Sequence, residues 1–214
     1  NVASIEGSNV TIQGAGTTTI TASQEGNSRY NSASVDQILT VNKVDQVIAF
    51  DNITDKTFGG GPITLSATST SELEVTFTAV TDHVTISSNN SATIVRAGKA
   101  KIAANQPGDD NFNAAPEVVS EFCINPVKPT ITISDAGTES PTLISNAVSG
   151  NQWYKDGAII NGATSGTLDV TVPGLYTVKS TIEDCASQMS QEFAVIVTGD
   201  IAPGLSSELV ISPN

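Results

Sequence analysis

The stretch "VTIQGAGTTTITASQEGNSRYNSASVDQILTVN", residues 10–42, decides the fold because the chain writes it twice. At an offset of 82 residues the same skeleton returns as "ATIVRAGKAKIAANQPGDDNFNAAPEVVSEFCIN", residues 92–125. Val10-Thr11-Ile12 matches Ala92-Thr93-Ile94, Ala15-Gly16 matches Ala97-Gly98, and Ile20 and Ala22 match Ile102 and Ala104. Gln24-x-Gly26 then matches Gln106-x-Gly108, and Tyr30-Asn31-x-Ala33 matches Phe112-Asn113-x-Ala115. One extra residue, Pro116, shifts the register, so Leu39-Thr40-Val41-Asn42 corresponds to Phe122-Cys123-Ile124-Asn125. A period of that length is a domain-sized repeat, larger than a solenoid unit. Inside it, Val10/Ile12 and Ile20/Ala22 alternate with polar neighbours, the period of half-buried strands. Gly14, Gly16 and the run Glu25–Ser28 supply the turns.

Composition agrees with strands. Of 214 residues, 38% are apolar and only 14% charged, with Thr, Ser, Val, Ile, Asn and Gly prominent. Length allows one to three domains. The net charge of −13 repels phosphate backbones and anionic lipid, which disfavours nucleic-acid and membrane-surface roles. No apolar run reaches transmembrane length, so membrane insertion is not expected. The chain opens in mid-repeat without a signal peptide, and its N-terminus is expected to arise by cleavage of, or excision from, a longer protein.

Residues 1–42 correspond to the second half of a repeat. About 40 residues bury little core alone. This half is therefore expected to pack on the next domain, a neighbouring molecule or an upstream piece. Residues 43–125 are the complete copy. Its first half offers Gln46–Phe50 and Ile63–Thr68 as strands, with the turn-rich Phe58–Pro62 between them. Glu74–Ala79 puts Val75 and Phe77 on one face. With Val84–Ser87, Ala92–Arg96, Ala100–Asn105 and Val118–Ile124 the count is about seven strands, that of an immunoglobulin-like sandwich.

The wording "DQVIAFDNITDKTFGGGPITLSATSTSELEVTFTA", followed by "ATIVRAGKAKIAANQPGDDNFNAAP", resembles the bacterial Ig-like (MBG-type) repeats of large surface proteins. The resemblance covers residues 1–125. It departs from the usual pattern at Gly60-Gly61, Glu72 and Glu74, all in turns. It implies a tandem β-sandwich architecture on a secreted or cell-surface bacterial protein.

After the stiff connection Asn125-Pro126-Val127-Lys128-Pro129 the vocabulary changes. Residues 126–198 resemble a second type of Ig-like domain. Trp153 before Lys155-Asp156-Gly157 resembles strand C, and Pro173–Val178 resembles strand F, with Tyr176 as the tyrosine corner. Leu143 and Val178 stand where antibody domains place their core cysteines, so this core is expected to be apolar and unbridged. Residues 199–214 read as a linker followed by a segment, Glu208–Asn214, that resembles the start of a type IX secretion C-terminal sorting domain.

Side chains with chemical potential are few. His83, the only histidine, sits in a Thr81-Asp82-His83 turn and is expected at the surface. With one histidine a metal cluster or a His-based triad has little to build from. Gly14-Ala15-Gly16 leads into a strand, whereas phosphate loops lead into a helix N-terminus. Asp109, Asp110 and Asn111, with Gln106 and Asn113, gather oxygen ligands in one loop, as a calcium site needs. An Asx-rich turn accounts for the same residues, and Arg29 occupies one matching place in the partner loop. Trp153, Tyr154 and Tyr176 could form a sugar platform, but the Ig pattern sends Trp153 and Tyr176 to the core and leaves only Tyr154. Asn9, Asn52 and Asn89 lie in Asn-x-Ser/Thr sequons, at the frequency chance gives so Asn/Thr-rich a chain. Cys123 and Cys185 stand where both could approach one inter-domain junction and bridge there. Two unrelated thiols fit the alternation equally.

The reading is an all-β chain of tandem immunoglobulin-like β-sandwiches, a non-catalytic extracellular spacer or adhesion module, with no cofactor and no assigned catalytic residue. Its expected partners are neighbouring Ig-like domains, with a surface protein or glycan beyond them. The competing reading is the accessory C-terminal region of a secreted polysaccharide-degrading enzyme, with glycan binding of its own.

Overall fold

The computed structural model describes residues 1–138 and 140–196. The linker and sorting-domain reading of 199–214 lies outside the described residues. Among them there are strands and turns and no helix. The first half-repeat forms β1 (Ala3–Glu6), β2 (Asn9–Ile12), β3 (Gly16–Gln24) and β4 (Ala33–Val41). The second repeat forms β5 (Ile48–Phe50), β6 (Lys56–Thr57), β7 (Ile63–Thr64), β8 (Ala67–Ser69), β9 (Thr76–Ala79), β10 (Val84–Ile86), β11 (Ser91–Ile94), β12 (Gly98–Asn105) and β13 (Val118–Asn125). The remainder forms β14 (Ile131–Ser134), β15 (Thr142–Ser145), β16 (Asn151–Lys155), β17 (Ala158–Ile159), β18 (Thr167–Asp169), β19 (Gly174–Ile182), β20 (Cys185–Ala186) and β21 (Phe193–Val195).

Packing divides the chain into two compact units. One holds Asn1–Asp51, Ser66–Thr78 and Ala103–Val119, and the other holds Asn52–Leu65, Ala79–Ile102 and the described residues from Ser120 onward. The second repeat contributes residues to both. Its expected strand Ile63–Thr68 is in fact two short ones: β7 pairs with β11, and β8 pairs with β5. A strand that breaks in this way can serve two sheets, each taking the apolar residues that face it.

In the first unit the period-2 pattern produces two ribbons, β1–β2 and β3–β4. A small core forms from Ile48, Val75 and Ala104, packed by Phe50, Ala67, Phe77, Ala115 and Val118. Val75 and Phe77 share a face, as their spacing requires, and Phe77 meets Phe50 at 5.3 Å between ring centroids. Gln46 is buried here. Its amide nitrogen donates to Gln106 Oε1 at 2.6 Å and to the Asn113 carbonyl at 2.7 Å, while its oxygen accepts from Ser71. A buried amide left without such partners would cost ~1–3 kcal/mol.

In the second unit, β10 and β7 flank β11, and β6 runs parallel beside β13. The C-terminal sandwich sets the sheet β14–β15–β18 against the sheet carrying β17, β16, β19 and β21. Between them lie Leu143, Trp153, Val170, Tyr176, Val178 and Val195. Trp153 is fully buried opposite Val178 on the neighbouring strand, and its indole N–H donates to the Ser165 carbonyl at 2.8 Å. Tyr176 hydroxyl donates to the Val172 carbonyl at 2.7 Å, closing the tyrosine corner. Leu143 and Val178 are both fully buried, so hydrocarbon occupies the places of the antibody cysteines.

Asp156-Gly157 forms the two-residue hairpin between β16 and β17, with φ of 49° and 79°. Positive φ at both positions is what a primed turn asks for, and Asp-Gly supplies it. The Asp156 carboxylate accepts from Lys155 and from the Leu175 N–H, and these partners hold its pKa below the usual aspartate value. A depressed folded-state pKa contributes stability above the unfolded pKa, lost as pH falls through the folded value.

Two outcomes follow from this core and its turn. Trp153→Ala should lower unfolding free energy by about 3–5 kcal/mol. Chemical denaturation followed by far-UV circular dichroism reads it, because the substitution removes the chain's one tryptophan. An NMR titration of Asp156 should give a midpoint below 3.8, which Lys155→Met moves upward.

Candidate functional site

The most elaborate arrangement of polar and reactive side chains surrounds the β19–β20 turn. Ile182 and Cys185 are paired, leaving Glu183 and Asp184 as the two-residue loop. Both have positive φ, 49° and 64°. That left-handed region suits Gly or Asn, and a residue with an ordinary side chain pays on the order of 1 kcal/mol to stay there. The surroundings hold the turn in three ways.

Cys185, directly after the loop, is disulfide-bonded to Cys123 on β13, with Cα atoms 5.4 Å apart across 62 residues of sequence. The Cys123 N–H in turn donates to the Asp55 carboxylate at 2.8 Å. Glu183 accepts from the Lys99 backbone N–H at 3.0 Å. The Asp184 carboxylate meets Lys99 Nζ at 2.9 Å, and that hydrogen bond raises the lysine pKa.

His83 completes the group. It is buried, not exposed as the turn signal around it suggested. The cover comes from the β19–β20 turn, a hundred residues away in sequence, which no local pattern could announce. His83 Nε2 lies 3.1 Å from the Glu183 carboxylate, and Nδ1 lies 3.7 Å from Asp82. Neither ring nitrogen has a partner with the alignment of a hydrogen bond. Asp82 is also gripped by Arg96, which lowers the aspartate pKa. Gly98 makes room for the imidazole. A Cβ there would sit 2.5 Å from His83 Nε2 and 2.7 Å from the Glu183 carboxylate, at a φ of 130° that glycine adopts freely.

The oxygen-rich loop of the second repeat is a different arrangement. Asp109 Oδ1 accepts from the N–H groups of Asn111 and Phe112 at 2.7 and 2.8 Å. The matching Asn27 Oδ1 accepts from Arg29 and Tyr30 at 2.9 and 3.2 Å, so both copies close the same Asx turn. Asn111 Oδ1 accepts from the Ala15 N–H at 2.8 Å. Asp109 and Asn111 thus each commit an oxygen to backbone, while Asp110 stays exposed. Among the described residues no three His, Cys, Asp or Glu side chains cluster as metal ligands would.

The aromatic candidates do not share a face. Trp153 and Tyr176 lie in the core, and Tyr154 points the other way, half-buried in register with Ile159 and Thr177. Asn9, Asn52 and Asn89 are exposed. Gly98 stood in the repeated Ala-Gly wording and Glu183-Asp184 directly before Cys185, but nothing in the sequence brought them or Lys99 to His83. The two cysteines were the only pointer to their neighbourhood.

The fold and this brace define an all-β protein of immunoglobulin-like sandwiches. No protein-family profile matches the chain, and no curated protein matches it. Among solved structures it is similar to mouse cadherin-23 repeats EC22–24 at 13% identity and a TM-score of 0.32, covering 81% of this chain and 72% of that one. It is similar to titin domains A168–A170 at 15% identity and a TM-score of 0.28, covering 83% and 73%. Scores this low carry no argument about role. Among the described residues no helix is long and apolar enough to cross a membrane.

Removing the bridge with Cys123→Ala and Cys185→Ala should destabilise the chain by about 4 kcal/mol, the loop-closure value for 62 residues. Denaturant melts of both forms measure it.

Proposed function

We propose that the chain is a non-catalytic spacer of immunoglobulin-like modules on a secreted or cell-surface bacterial protein. The disulfide between Cys123 and Cys185 is the observation that carries this reading. Such bonds persist in oxidising compartments, and one that ties a strand end to a distant turn resists bending where a spacer must stay stiff. The MBG-type wording of residues 1–125 and the sorting-domain wording of 208–214 fit the same assignment. The aromatic side chains best suited to sugar, Trp153 and Tyr176, are consumed by the core. The strongly acidic balance keeps such a surface soluble and away from nucleic acid.

Nitroxide labels placed by non-cysteine chemistry at the exposed Thr85 and Thr167 test the stiffness. Pulsed dipolar spectroscopy should give a narrow distance distribution that broadens on reduction. Equal widths in both states would remove the spacer reading. A glycan array should stay flat. A strong, saturable signal there would favour the accessory tail of a polysaccharide-degrading enzyme instead.

A further inference from the structure

Among the described residues the β3–β4 ribbon leaves its apolar face largely open. Antiparallel register places Thr18, Ile20 and Ala22 opposite Leu39, Gln37 and Val35, all on one side. The other side carries Thr17, Thr19, Thr21 and Ser23 opposite Thr40, Ile38, Asp36 and Ser34. One face is therefore mainly apolar and the other mainly hydroxyl and carboxylate. On the apolar face Ala22 is exposed, Ile20 and Leu39 are half-buried, and Val35 is 68% exposed.

The second repeat shows what this face looks like when it is covered. The residues matching Thr18, Ile20 and Ala22 are Ala100, Ile102 and Ala104, each with 0% exposure. Those matching Gln37 and Leu39 are Ser120 and Phe122, both buried. Ala104 is covered by Ile48 on β5 and by Val75 beside β9, with Phe50 and Phe77 around it. All four come from the first half of the repeat. At the matching place on the ribbon, a shallow depression is lined by Ala22, Ser23, Gln24, Ala33, Ser34 and Val35. A polar key accompanies the apolar cover: Gln46 reaches Gln106 Oε1 and the Asn113 carbonyl. Gln24 and Asn31 stand at those two positions in the first copy.

We propose that the apolar face of β3–β4 is the docking surface for a first-half-repeat segment patterned like Gln46–Ala79. Bulky residues at the Ile48 and Val75 positions fill the depression over Ala22. A glutamine at the Gln46 position bridges Gln24 and the Asn31 carbonyl. Small Ala22 is what allows the bulky residues to approach, as Ala104 does in the complete copy.

Asn1 matches His83, so residues 43–82 can be duplicated directly ahead of Asn1 in the full chain without a register change. A two-stranded ribbon alone is marginal in water, so its amides should exchange quickly in the original chain. Hydrogen-exchange mass spectrometry should show at least a tenfold slowing over residues 18–22 and 35–39 in the extended chain. A control carries Ile48→Asp and Val75→Asp in the added segment only, and should show no slowing. Circular dichroism and the intrinsic Trp153 fluorescence confirm that the rest of each chain is folded. Unchanged exchange in the extended chain, or equal slowing in the control, would overturn the proposal. So would sedimentation of the original chain as a dimer that Ala22→Arg dissociates, which would assign the face to a second copy.

Discussion

A β-strand has two sides, and a sequence of period 2 makes one of them oily. Everything else in this protein follows from where that oily side finds cover. In the C-terminal sandwich the cover is another sheet, and Leu143, Trp153 and Val178 lose all contact with water. In the core around Ala104 the cover comes from Ile48 and Val75, contributed by the preceding half of the same repeat. In the β3–β4 ribbon the same alternation is present and its cover is not. One physical rule therefore produces packed cores and, among the described residues, an apolar face left largely open.

Polar groups are spent on holding these layers in place. Trp153, Tyr176, Gln46 and Asp109 all give hydrogen-bonding groups to the protein's own backbone or core. The loop glycines serve the same end. Gly26 and Gly108 have φ of 82° and 79°, and a Cβ on either would strike the carbonyl of Tyr30 or Phe112 four residues on, at 2.6 or 2.4 Å. The Gln-x-Gly wording of the repeat is thus the wording of a loop that folds back on itself.

The brace at Cys123–Cys185 obeys different physics. A turn of two acidic residues in left-handed conformation is locally unfavourable, and it is kept by partners far away in sequence. Lys99 supplies both a backbone N–H and an ammonium group, and His83 brings an imidazole beneath Glu183. The loss of backbone freedom is offset by the covalent bond beside it, which needs no help from hydration or charge. The Lys99–Asp184 pair is exposed enough for water to weaken it, whereas Cys185 and His83 are buried.

The strands β9 to β13, the hairpin at Asp156-Gly157, the core positions of Trp153 and Tyr176 and the shared face of Val75 and Phe77 were legible in the chain itself. Alternation and turn chemistry act over a few residues, so they survive without tertiary context. The burial of His83, the split of Ile63–Thr68 between two sheets and the conformation of Glu183-Asp184 were not. Each depends on residues tens of positions away, and pair patterns of period 2 hold no information at that range. Sequence alone determined that this protein would be made of two-faced ribbons. Only the tertiary structure decided which faces meet, because burial is a property of what lies opposite, and the chain does not spell its own neighbours.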